Sequence, residues 1–328
     1  MKSFTKRDFS DEVIAELVRG QFGTAVFPTI ITPLKDGWFN TAYALSLSDG
    51  QPDVVLRIAP PPGQPVLSYE RDLMQREAAI MRLVEEKLDI PVAPLLAYDG
   101  RRQLLDRDYM FVGRLAGRPL DQAKADMPPE ELTRVLHQLG EYAARMHALH
   151  GTRFGYDCPD LSAETWRAAF LRMMAALLAD GEGLGVLLPV PYTAVRQRLD
   201  ELASLLDAVQ AASLVHWDLW EGNIFVAEVD GRFTITGIID WERALWGDPD
   251  IDQVMFRGEK DPFWVGYGRL PAADPAAQTR RTLYRLYLWL IMLIEDKVRF
   301  DGADHIPWAI EQFNRDWQQL TAMSAPDG

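Results

Sequence analysis

Apolar and polar residues alternate in two short stretches early in the chain, Tyr43-Ala44-Leu45-Ser46-Leu47 and Val54-Val55-Leu56-Arg57-Ile58. A period of two turns one face of each stretch inward, so both predict strands, and Ser48-Asp49-Gly50-Gln51-Pro52-Asp53 between them supplies the turn of a β-hairpin. The period then lengthens: Met74, Ala78, Met81 and Leu88 predict a helix over 69–87. An apolar run at 109–115 reads as a buried strand, and Pro60-Pro61-Pro62-Gly63-Gln64-Pro65 as a loop. The character changes near Gly113 to Gly117, beyond which helical patterns cover 129–150, 163–179, 192–211 and 280–300. Among those helices, residues 213–226 and the apolar run from Phe233 to Asp240 are joined across a turn at Asp230-Gly231. The pattern therefore predicts a strand-rich first third and a helix-rich remainder, residues 1–114 and 115–328, with a hinge between them.

Composition and charge exclude several classes. With 48% hydrophobic and 25% charged residues, the chain has the make-up of an ordinary globular protein. The stretch from Met1 to Gly20 is mixed and polar, without the apolar core of a secretory signal. The densest apolar run, from Leu286 to Ile294, falls far short of the roughly 20 residues that span a bilayer. Membrane insertion and export are not expected. The single cysteine, Cys158, cannot form an intramolecular disulfide and fits a reducing, cytoplasmic setting. Five scattered histidines make no zinc spacing. The net charge of −14 disfavours a nucleic-acid partner. It is also uneven, since residues 1–114 hold 14 basic and 16 acidic groups and residues 115–328 hold 20 and 32. That excess serves solubility, or a pocket for a cationic or polyhydroxylated small molecule.

The polar fixed points of the second part are the chemistry-bearing residues. Ser-Leu-Val-His-Trp-Asp-Leu-Trp-Glu-Gly-Asn-Ile-Phe-Val, residues 213–226, carries His216, Asp218 and Asn223 between apolar strands, and Asp240 ends the next strand 22 residues after Asp218. Alone, each Asp or Asn is an ordinary turn or cap residue, and His216 a buried, satisfied histidine. Together, with Trp217 where the motif has arginine, they match the kinase catalytic loop His-Arg-Asp-Leu-x-x-x-Asn and its metal-binding aspartate. With Gly247-Asp248-Pro249-Asp250-Ile251-Asp252 following, the segments resemble the aminoglycoside phosphotransferase and choline kinase group, the small-molecule branch of the protein-kinase-like fold.

The resemblance implies an α+β, bilobal protein-kinase-like fold: a small antiparallel-sheet lobe with one main helix, then a larger, mostly helical lobe. It implies a phosphotransferase in which Asp218 positions or deprotonates the acceptor hydroxyl and Asn223 and Asp240 hold Mg2+. His216 would orient the loop, and Asp252 would cap its backbone from the next helix. The nucleotide is ATP, with GTP as the alternative. In the first lobe the match is thinner. The segment from Lys35 to Tyr43 has one glycine, Gly37, and Asn40-Thr41 resembles the polar tip of the phosphate loop. Arg57 stands where the phosphate-binding lysine belongs, with Glu77 its expected partner, the alternative being an ordinary surface pair. The backbone of Gly113 and Leu115 would meet the base edge, with Phe111 or Val112 lining the pocket.

The absence of an Ala-Pro-Glu segment after Asp240, and Trp217 in the arginine position, disfavour a protein substrate. The implied acceptor is a small-molecule hydroxyl on an antibiotic, a natural product, an amine alcohol or a sugar, bound by the helices at 163–179 and 280–300. Aromatic surface there could come from Trp166, Phe170, Met174, Tyr287 and Trp289, although at helical spacing most of these read as core, and charge from Glu164, Glu221, Glu242, Glu295 and Asp296, each of which is by default solvated surface charge. Two other classes remain open: a pseudokinase or nucleotide-binding module without turnover, motivated by Arg57 and the single glycine, and a metal-dependent hydrolase built on His216, Asp218 and Asp240.

Overall fold

A computed structural model describes residues 3–35, 37–48, 50–253 and 258–322. Asp36, in the expected phosphate loop, and Asp49, in the expected hairpin turn, lie outside the described residues. In chain order the first elements are α1 (Asp11–Phe22), β1 (Pro28–Leu34), β2 (Thr41–Leu47), β3 (Val54–Ile58), α2 (Leu73–Lys87), β4 (Leu95–Asp99), β5 (Tyr109–Gly113), β6 (Arg118–Pro119) and α3 (Leu120–Ala123). There follow α4 (Pro129–His147), β7 (Phe154–Gly155), β8 (Ser162–Ala163), α5 (Trp166–Gly183), α6 (Tyr192–Leu202), β9 (Ser213–Val215), β10 (Ile224–Val229), β11 (Arg232–Ile238) and β12 (Leu245–Gly247). The last are α7 (Asp250–Gln253), α8 (Phe263–Tyr267), α9 (Pro275–Arg299) and α10 (Ile306–Ala322). This is the mixed architecture expected, with an antiparallel sheet in the first part and helices dominating the rest.

Packing groups the chain into two compact units. The first comprises Met1–Pro65, Asp72–Asp126 and Glu221–Glu242, the second Val66–Arg71, Met127–Trp220 and Arg243–Gly328. In the first unit the strands run β1-β2-β3-β5-β4, each antiparallel to its neighbour. The hairpin pairs Leu45 with Val54 and Thr41 with Ile58, as the alternation requires. Tyr43, Leu45, Leu56, Tyr109 and Phe111 point into a core closed by Ile14, Leu17 and Val18 of α1. Three strands, β11-β10-β6, complete the unit.

In the second unit α9 is buried nearly all round, which makes it the central helix. Asp274 caps it by accepting the Ala277 N–H at 2.9 Å, and Pro275 opens it where no N–H is needed. Its face packs Tyr284 and Tyr287 against Trp166 and Phe170 of α5, with ring centroids 5.5–5.9 Å apart. A short sheet, β8-β7-β12-β9, carries the chain toward Asp218. α4 turns Val135, Leu139, Gly140, Ala143, Met146 and His147 inward. It meets α8 at backbone contact, because a methyl group on Gly140 would overlap the Phe263 carbonyl and one on Gly266 the His137 carbonyl. Gly266→Ala is therefore expected to push the two helices apart and cost about 1–3 kcal/mol, read as a lowered urea midpoint.

The structure moves several boundaries. The helix expected over 69–87 begins at Leu73, because Asp72 takes a left-handed conformation (φ 52°) and Tyr69 and Glu70 are buried in the second unit instead. The helix expected over 192–211 stops at Leu202 and continues as a 3-10 turn to Ala208. Among the described residues, no helix is long and apolar enough to cross a membrane.

Candidate active site

In the second unit β9 pairs with β12, Val215 opposite Leu245, and delivers His216, Trp217 and Asp218 at its end. Asp252, from the start of α7, caps this loop. Its Oδ1 accepts the Trp217 N–H at 2.6 Å and its Oδ2 the His216 N–H at 2.7 Å. Its side chain has no solvent exposure, and the bonds replace the water a buried carboxylate would otherwise need. The same Oδ2 lies 3.1 Å from His147 Nε2, and His147 Nδ1 lies 3.0 Å from the Tyr267 hydroxyl. His216 is fully buried, and its Nδ1 accepts the Asp218 N–H at 3.2 Å. Trp217 has φ 59°, a left-handed conformation costly for a bulky side chain, and its indole is buried 5.0 Å from the Tyr287 ring. The residue in the arginine position is thus a core anchor that fixes the direction of Asp218, which is half-buried.

In the first unit Arg57 is the penultimate residue of β3, opposite Ala42 of β2 and Met110 of β5. It is not a surface pair. One terminal nitrogen meets Glu77 Oε1 at 2.5 Å; the other meets Asp240 Oδ1 at 3.1 Å and Glu242 Oε2 at 3.7 Å. Burial by itself would push the arginine pKa down, but Glu77, Asp240 and Glu242 outweigh it and raise it. Burial likewise pushes Glu77 up, against the pull of Arg57. Asp240 follows β11 at φ 68°, and the Ile239 N–H donates to the Asn223 carbonyl at 3.0 Å. Asn223 and Asp240 are thereby set on neighbouring strand ends, two oxygen donors of the hard type that magnesium prefers.

The other expected nucleotide contacts divide. Among the described residues the buried Asn40 Oδ1 has no hydrogen-bond partner, and it stands ready for a donor. Thr41 is committed elsewhere: its hydroxyl donates to the Arg7 carbonyl and accepts the Arg7 N–H, both at 3.0 Å. The Gly113 N–H donates to the Pro94 carbonyl at 2.9 Å, so a base edge could take nothing but an acceptor from this residue. Leu115 packs its side chain on Gly237.

The residues named for the acceptor wall mostly take the alternative place, the core. Trp166, Phe170, Met174, Tyr287 and Trp289 are each at most 4% exposed and belong to the core, as residues at helical spacing often do. Glu295 is 2% exposed and joins Arg243 and Arg299, while Asp296 accepts the Gly302 and Ala303 N–H groups. Glu221 pairs with Lys124. Of the five acids Glu164 alone is both exposed and outside these pairings. The sequence reading did not single out His147 and Tyr267, although a histidine on the apolar stripe of α4 signals a buried, partnered ring.

Residues 30–307 match the model of a family described as APH, the phosphotransferase enzyme family. The chain belongs to that family. Among curated relatives, one from Synechocystis named a probable ketoamine kinase is 36% identical over 87 residues, 25% of this chain and 27% of that one. Another of the same description, from Vibrio parahaemolyticus, is 26% identical over 64% of this chain and 70% of its own length. The crystal structure of aminoglycoside phosphotransferase APH(4)-Ia superposes with a TM-score of 0.63 at 20% identity, covering 96% of this chain and all of that one. The streptomycin–ATP–APH(2")-IIa complex gives 0.60 at 16% identity, covering 97% and 98%. These likenesses show the protein-kinase-like fold.

Proposed function

We propose that this phosphotransferase is a small-molecule kinase that moves the γ-phosphoryl group of ATP to a hydroxyl of a ketoamine, a polyhydroxylated ketose bearing an amine. The observation that carries the reading is the backbone clamp on Asp218: the buried Asp252 takes the two N–H groups just before it, and His216 takes its own. A carboxylate aimed in this way accepts the proton of the acceptor hydroxyl as its oxygen attacks the γ-phosphorus and ADP leaves. Arg57 binds phosphate oxygens, held by Glu77, and Asn40 contributes an acceptor from the β1–β2 loop. Asn223 and Asp240 would hold Mg2+, which when bound neutralises charge on the phosphates. A polyphosphate with its magnesium offers Arg57 an anion and Asp240 a cation, so one ion pair is exchanged for two.

The ketoamine class is supported by the names of the two curated relatives, at 36% and 26% identity, against 16–20% for the structures bound to hygromycin B or streptomycin. The test uses γ-labelled ATP with a panel of 1-amino-1-deoxyketoses and, in parallel, aminoglycosides. The expected result is label transfer to a ketose with kcat/KM at least about tenfold above any aminoglycoside, a margin of the size that pocket contacts give. An aminoglycoside as the best acceptor would remove the ketoamine assignment and leave the kinase. Nucleotide-induced thermal stabilisation with no acceptor-dependent transfer would favour a binding module, a reading that the Arg57–Asp240 contact also admits.

Arg57→Ala is expected to weaken ATP binding about tenfold or more, since charge-assisted phosphate contacts are lost, while adenosine affinity changes little. Equal losses for both ligands would point to damage of the first unit instead.

A further inference from the structure

A cavity of about 510 Å³ opens within the second unit, bordered by His147, Ala148, Asp248, Tyr267, Arg269 and Arg280 among others. None of the residues assigned above to base, nucleotide or metal lines it. Ser213, at the start of β9, borders it, whereas Asp218 follows the other end of that strand. Its volume falls in the range of small-molecule sites.

The charged groups facing this space are unequally engaged. The carboxylate of Asp248 is fully used: Oδ1 accepts the Asp250 N–H at 3.1 Å, and Oδ2 accepts the Tyr284 hydroxyl at 2.8 Å and Arg280 Nε at 3.4 Å. Arg280 is held by that Nε, and among the described residues its terminal nitrogens make no hydrogen bond. Arg269 is exposed and has no carboxylate partner among the described residues. Its guanidinium lies 5.8 Å from the centre of the Tyr267 ring, near enough to the hydroxyl to oppose the upward push that burial gives the tyrosine pKa. Two guanidinium groups thus border one cavity, beside the Asp248 carboxylate that Arg280 already meets and with Asp274 also acting on Arg280, and a planar guanidinium fork suits a phosphate or carboxylate.

The wall of this cavity is also one end of the hydrogen-bonded chain that holds the loop before Asp218. Tyr267 contacts His147, His147 contacts Asp252, and Asp252 holds the His216 and Trp217 N–H groups. A carboxylate at Nε2 requires the hydrogen on that nitrogen, so in the neutral tautomer Nδ1 accepts the Tyr267 proton. Drawing Arg269 away to a ligand frees the tyrosine oxygen from it and alters that donor.

The geometry points to a second ligand site: the cavity takes a small molecule through a phosphate or carboxylate group bound by Arg269 and Arg280, and its occupancy reaches the backbone that aims Asp218 through Tyr267, His147 and Asp252. The experiment is hydrogen–deuterium exchange titrated separately with inorganic phosphate and malonate, which requires no turnover and so stands or falls apart from the kinase reading. Either anion is expected to protect residues 263–269 and to slow exchange at the His216 and Trp217 amides. Arg269→Ala should raise the half-saturating concentration about tenfold, the scale of a lost charge-assisted contact, and Ala148→Phe, which fills the cavity from just beyond the end of α4, should abolish protection. Protection by phosphate alone marks a phosphate ester as the ligand, and protection by malonate alone a carboxylate. Tyr267→Phe should keep the protection at 263–269 and lose it at His216 and Trp217. No protection by either anion, or titrations unchanged in both Arg269→Ala and Ala148→Phe, overturns the site. Slowed His216 and Trp217 exchange surviving in Tyr267→Phe overturns the relay.

Discussion

Asp218→Asn is expected to fold like the parent protein, to bind nucleotide with nearly unchanged affinity, and to lose phosphoryl transfer by a factor of about 100 or more. The substitution is isosteric, and backbone contacts that place residue 218 do not use its carboxylate charge: Asp252 acts through the His216 and Trp217 N–H groups, and His216 through the residue's own N–H. Geometry is therefore retained while the proton acceptor is removed. Turnover with saturating acceptor, paired with nucleotide titration by calorimetry, separates the two effects. Turnover within tenfold of the parent would take the base role away from Asp218.

Asp240→Ala is expected to abolish the gain in ATP affinity that magnesium brings, a loss of about 100-fold or more in metal-dependent affinity by comparison with the cost of disturbing metal sites generally. Asp240 is the more exposed of the two acids nearest Arg57, with 35% of its side chain accessible against 1% for Glu77. Glu77 and Glu242 remain to hold the guanidinium, so ATP without magnesium should bind nearly as before. Equal affinities with and without magnesium in the parent protein would show that Asp240 has no metal to hold.

The hairpin of β2 and β3 was legible because both strands have one buried face and a turn of the right composition between them. α1 was not, because the acids and bases around it obscure the short stripe of Ile14, Leu17 and Val18. At the candidate site, the spacing of His216, Asp218, Asn223 and Asp240 survives in sequence because a single loop and the strand pair after it carry all four. Long-range partners leave no such trace. Arg57 meets Asp240 across 183 residues, and Glu242 was expected to face an acceptor rather than the arginine. Thr41 is occupied by Arg7, 34 residues earlier, a backbone contact that side-chain chemistry does not announce. The left-handed backbone of Trp217 was hidden for a related reason: a tryptophan has no preference for that conformation, and the contacts that accompany it, the Asp252 carboxylate on its N–H and the Tyr287 ring beside its indole, come from distant parts of the chain.

The discontinuity of the first unit bears on how the chain is made. Ribosomes release a protein from its N-terminus, and domains commonly fold as they emerge. Here β10 and β11, residues 224–238, complete a unit whose other strands end at residue 119, and β10 pairs with β6 through Phe225–Pro119 and Val226–Arg118. A nascent chain stopped at residue 126 holds the five-stranded sheet but neither this hairpin nor Asp240 and Glu242, two of the three carboxylates around Arg57. The intervening 94 residues, 127–220, all belong to the second unit. Translation must therefore pass through about half of a second folding unit before the first can close, so a stall or cleavage within 127–220 leaves a fragment with an unpaired β6 and an arginine short of its charge partners.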